Sequence, residues 1–157
     1  MSVLAVNRPS DVEFPLFLHV LGAILLLGAL LVAATALIAA WRRRDAGETT
    51  ALTRVGLWTI LLGVFPAYVL MRVGAEWTEA ASDYPDAFDP AWLGIGYITA
   101  DLGALVTLIA IVLAIIGLRR LREPVSRAVL GRVVASLSLL LIAAYAVAVW
   151  AMTAKPT

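Results

Sequence analysis

The feature that most constrains this chain is a fourfold alternation. Long runs with almost no charge, at about 14–41, 55–75, 92–118 and 128–152, are separated by short charged connections. A membrane-crossing helix needs ~20 largely apolar residues. At ~1.5 Å per residue all four runs are long enough, and the first and third have length to spare for tilt. The pattern predicts a single domain over residues 1–157, an all-α polytopic membrane protein. Because the connections are short, consecutive helices should lie as antiparallel neighbours in a four-helix bundle. Composition points the same way. The chain is 62% hydrophobic and 15% charged, against ~45–50% and ~25% for soluble domains.

Charge sorting predicts an orientation. Arg42, Arg43, Arg44 and Arg54 flank the first connection. Arg119, Arg120, Arg122 and Arg127 fill the third, with Arg132 just beyond. The opposite side carries Asp11, Glu13 and an acidic loop at 76–91 with Glu76, Glu79, Asp83, Asp86 and Asp89. The Arg-rich loops are therefore expected in the cytoplasm, with both termini and the acidic loop outside. The first run lacks a basic lead, since Asp11 and Glu13 outweigh Arg8, and reads as a retained signal anchor. A single lysine, Lys155, against eleven arginines fits a high-GC bacterium. The expected location is a bacterial inner membrane.

Helices in lipid associate through close backbone approach at small residues. The third run carries a stripe at Gly96, Ala100, Gly103, Thr107, Ala110, Ala114 and Gly117. The first carries Gly22, Ala29, Ala33, Ala36 and Ala40, and the fourth Gly131, Ala135 and Ser138. These stripes should be seams of the bundle. Pro66, in the middle of the second run, should kink that helix.

Ionisable residues inside a span are costly and mark candidate sites. Three stand out: His19, Arg72 and Asp101. His19 lies beside the Gly22 stripe and should face protein. Arg72 shares a helical face with Tyr68 and Glu76, and can pair with Glu76 or reach Asp101. Asp101 lies ~13 Å beyond Trp92 and groups with Tyr97, on a face ~140° from the small stripe. That second face needs cover from the bundle or an oligomer. Asp101 is then either ionised and paired, most simply with Arg72, or protonated. The candidate cofactor-binding set is His19, Tyr68, Arg72, Tyr97 and Asp101, all in the outer half. No chain of ionisable groups crosses the membrane, which argues against a proton wire.

Several chemistries are excluded. With no cysteine there are no disulfides, thiolate metal sites or cysteine nucleophiles, and one histidine supplies at most one imidazole ligand. No metal site and no catalytic set are expected. The aspartates at 83, 86 and 89 lack the spacing of an EF-hand. Soluble-enzyme motifs such as GxSxG and the P-loop are missing. Topology explains the basic residues, so nucleic-acid binding is unsupported; membrane lipids are expected partners.

The stretch Leu18-His19-Val20-Leu21-Gly22-Ala23-Ile24, followed by Gly28, resembles the first helix of uncharacterised four-helix bacterial membrane proteins of this size with a Leu-His-x-x-Gly-Ala opening. Trp92-Leu-Gly-Ile-Gly-Tyr-Ile-Thr-Ala-Asp101 is similar to an element of small actinobacterial membrane proteins without assigned function. More remotely, the first helix resembles the copper-resistance D family and the membrane type of protoporphyrinogen oxidase. The oxidase's histidine could match only His19, and its intramembrane lysine has no counterpart. The further histidines and methionine motifs of the copper-linked family are missing. The resemblance implies a fold and no activity.

The expected function is a non-enzymatic membrane subunit or accessory protein, packed in a larger or oligomeric assembly. The alternatives are a haem- or quinone-binding redox protein using His19, and a small oligomeric channel or transporter.

Overall fold

The structure, a computed structural model, describes residues 10–82 and 91–154. All regular elements among them are helical: α1 (Ser10–Arg42), α2 (Ala46–Thr59), α3 (Phe65–Ala80), α4 (Ala91–Arg119) and α5 (Pro124–Ala154). A π-helical turn at Ile60–Val64 joins α2 to α3, so residues 46–80 form one continuous helical rod. The result is four helices long and apolar enough to span a membrane.

Each rod runs past the apolar stretch that announces it, because capping and charge sustain the extra turns. The second begins at residue 46 rather than 55. Asp45 caps it, its carboxylate accepting from the Glu48 amide at 2.8 Å, which satisfies one of the unpaired amides of a first turn. The fourth begins at Pro124, where the missing N–H costs nothing. Where the sequence predicts a kink at Pro66, the structure has a π turn immediately before the proline. Phe65 donates to the Ile60 carbonyl five residues back, and the widened turn moves the carbonyl that the proline ring would strike.

Small residues set which helices touch. A Cβ on Gly74 would fall 2.4 Å from the His19 amide nitrogen, and one on Gly22 2.3 Å from that of Met71. Gly63 faces Ala29, and Gly56 faces Leu37. Numbers along α1 thus rise as those along the second rod fall. The same reversal relates α4 to α5: Gly96 meets Met152, Gly103 meets Tyr145, and Gly117 faces Leu130. α1 also packs on α5, whereas α4 leans on α5 and touches α3 only lightly. The seams follow the stripes, with Gly96, Gly103, Thr107, Ala110, Ala114 and Gly117 all buried. Between them lies a core of Leu26, Leu30, Leu37, Leu57, Ile60, Val64 and Val134, each essentially inaccessible. Large apolar side chains, among them Ile24, Leu62, Ile98 and Leu102, also cover the outside.

Candidate functional site

Two polar features occupy the Glu76–Glu79 end of the rods, on different faces of α3. The first is a surface tie between α3 and α4. Tyr68, Arg72 and Glu76 recur every fourth residue along one face of α3, and Tyr97 and Asp101 do the same on α4. Facing each other, the two rows interlock. One Arg72 nitrogen lies 2.9 Å from Glu76 and 3.0 Å from Asp101. The guanidinium sits 5.5 Å from the centre of the Tyr97 ring, within cation–π range. The Tyr97 hydroxyl donates to Glu79, and the Tyr68 hydroxyl donates to the Ala100 carbonyl at 3.2 Å. Four of the five expected residues are thereby brought together.

Arg72 does not choose between Glu76 and Asp101; it bridges both. The cluster's one cation pairs with two carboxylates, Glu76 and Asp101, while a third, Glu79, accepts from Tyr97. A bound anion would find no free positive charge. Asp101 is also not enclosed by its own chain. Its side chain is 66% exposed, on a face it shares with exposed Ile98, Leu102 and Leu105.

The second feature lies between the helices. His19, the fifth residue, is separate from the tie. Its Nδ1 lies 3.0 Å from the Met71 carbonyl oxygen. A carbonyl only accepts, so Nδ1 carries the hydrogen, and in the tautomer that matches this bond the lone pair is on Nε2. The bond depends on Gly22 and Gly74, which let the α1 and α3 backbones approach. His19 lines a cavity of about 60 Å³ between α1, α3, α4 and α5, with Met71, Gly96, Ala100, Tyr145 and Met152 among its walls. Tyr145 is 6% exposed, and its hydroxyl, set against Gly103, has no hydrogen-bond partner. The buried Thr107 hydroxyl is near enough to influence it, but neither forms a bond of normal geometry.

Organic-ligand pockets run from roughly 300 to 1,000 Å³. The cavity between the helices is far below that range, so a haem or quinone would need a second chain or an outer face of the helices. A wider groove of about 430 Å³ lies near the Arg-rich end, lined by Arg54, Val55, Trp58, Thr59, Leu62 and Gly63. It is shallow and open. Among the described residues, no three His, Cys, Asp or Glu side chains gather as a metal cluster. At the acidic end Phe14 meets the Trp77 ring edge-on, centroids 5.8 Å apart. The aspartates at 83, 86 and 89, with Arg8 and Lys155, lie outside the described residues, as does the side chain of Trp92.

Sequence spacing alone did not single out Met71, Met152 or Glu79. Helical periodicity assigns each to a face but is silent about which residue stands opposite. Comparison with known protein families, with curated proteins and with solved structures returns no match to this chain.

Proposed function

We propose that the protein is a non-enzymatic subunit or accessory component of a membrane assembly. It would be an antiparallel four-helix bundle in a bacterial inner membrane, with its Arg-rich loops in the cytoplasm and both termini outside. The observation that carries this reading is Asp101. Its carboxylate is two-thirds exposed on an otherwise apolar face of α4. A carboxylate turned to lipid costs several kcal/mol, roughly 2.5–3.5 by insertion scales. Another membrane helix over that face removes the cost. The partner is a second copy of this chain or a different subunit. Two further facts favour a packing role over catalysis. The polar side chains of the tie are engaged with one another, and the cavity between the helices is too small for an organic substrate. The groove beside Arg54 suits an anionic lipid, its phosphate at the guanidinium and its chain against Trp58 and Leu62.

The test is mass and proximity in mild detergent. A complex heavier than one chain is expected, with single cysteines at Ile98 or Leu102 cross-linking to the partner. Cysteines at Ile24, on a different face, should cross-link far less. A monodisperse single chain with turnover of its own overturns the reading.

A further inference from the structure

His19 is the chain's only histidine, and Met71 and Met152 are two of its three methionines. All three line the same partly open cavity between the helices. At about 60 Å³ it has room for a few waters or one ion, given roughly 10–15 Å³ for a water. The donors decide which ion. The Nδ1–H of His19 is committed to the Met71 carbonyl, which fixes the ring and leaves Nε2 as a lone-pair donor. Metal-binding imidazoles are held by this kind of outer support. Thioethers are poor hydrogen-bond acceptors but good ligands for soft metals, Cu(I) above all. No carboxylate lines the cavity. Calcium or magnesium, which need several oxygen ligands, would find none there. A divalent ion would also bring more uncompensated charge into an apolar interior than a monovalent one.

We propose that this cavity is a binding site for a single soft, monovalent metal ion of the Cu(I) class, held by Nε2 of His19 and the thioether sulfurs of Met71 and Met152. Counting imidazoles and thiolates in the sequence misses such a site because two of its three ligands are methionines. The remainder of the wall, Ala23, Leu26, Leu27, Ala148 and Val149, is apolar, with Val149 exposed. The Tyr145 phenol oxygen is a hard donor at the edge of a soft set, so the site does not depend on it. The site is complete within one chain and needs no partner subunit.

Full-length protein in detergent is titrated with Cu(I) under a reductant, against a chromophoric Cu(I) chelator. One Cu(I) per chain is expected to be held against the chelator. Met71→Leu/Met152→Leu, which conserves volume, and His19→Asn should each weaken binding by about tenfold or more. Tyr145→Phe should leave it unchanged. Circular dichroism and monodispersity establish that each variant is folded. A second measurement uses the wild type alone. With one histidine in the chain, ¹⁵N-histidine labelling gives a single imidazole, and redox-inert Ag(I) should shift its Nε2 resonance while Nδ1 stays hydrogen-bonded. No Cu(I) retained against the chelator, full affinity in the methionine double variant, or an unmoved Nε2 resonance would each overturn the proposal.

Discussion

Arg72 is the residue on which the tie between α3 and α4 depends, and its two carboxylates make a ranked prediction possible. Asp101→Asn removes one partner but leaves Arg72 paired with Glu76. Arg72→Gln strands Glu76, Glu79 and Asp101 together without a cation. Partly exposed ion pairs contribute about 0–1 kcal/mol in water, so Asp101→Asn should cost no more than about that. Arg72→Gln should cost about 1.5–3 kcal/mol, the range for hydrogen bonds to charged groups. Denaturant titration in detergent, followed by loss of helical signal, checks the order; equal costs would mean the bridge is not shared. His19 permits a second comparison. His19→Ala should lose about 1–2 kcal/mol, from one hydrogen bond and some packing. His19→Asn, which can still donate to the Met71 carbonyl, should recover part of the loss in the same titration. The tie was largely legible in the sequence, because 68, 72 and 76 on one helix and 97 and 101 on another fall on single faces by spacing alone. The cavity was not. It needs the register of four helices at once, and no spacing within one helix reveals that His19, Met71, Tyr145 and Met152 converge.

At the scale of the helices, glycine separates seams from free faces. Gly22 and Gly74 are in backbone contact with the opposite helix, so even a methyl group must push α1 and α3 apart. Gly28 has nothing within 4 Å of where its Cβ would lie. Gly74→Ala should therefore destabilise by about 1–3 kcal/mol, the usual cost of overpacking. Gly28→Ala should be neutral or stabilising by up to about 0.5–1 kcal/mol, through backbone entropy alone. Thermal unfolding of the two variants beside the parent decides it. Similar losses at both positions would mean that the contact surface of α1 differs from the one described. The α1 side of this seam was legible in the sequence, because Gly22 belongs to a stripe of small residues at helical spacing; spacing alone did not single out Gly74 on the second rod. The disturbance at Pro66 was legible as an event and not as a form. A proline announces a lost hydrogen bond, but whether the helix bends or widens into a π turn depends on its neighbours. Here Gly63 lies on that turn, facing Ala29.

For the whole molecule, the arrangement of charge is the largest-scale feature, and it makes an orientation testable without removing any native residue of the same kind. The chain contains no cysteine, so each introduced thiol reports alone. Val125, 78% exposed beside the Arg-rich turn between α4 and α5, and Ala80, exposed at the acidic end of α3, are suitable positions. Neither touches the tie or the cavity. If Arg119, Arg120, Arg122 and Arg127 are held in the cytoplasm by the bias against translocating arginine, a membrane-impermeant maleimide on intact cells should label Ala80→Cys and spare Val125→Cys. Permeabilisation should then label both. The reverse pattern would place the acidic loop in the cytoplasm and overturn the proposed topology. Labelling of both positions in intact cells would mean a mixed population. That outcome would imply that the arginine excess on one side, though sorted along the sequence, is too weak to fix the fold in one direction. The same labels locate the cavity, since His19 and Met71 lie toward the Ala80 end of their helices. Labelling of Ala80 alone would put the cavity, and the tie beside it, in the outer half of the membrane.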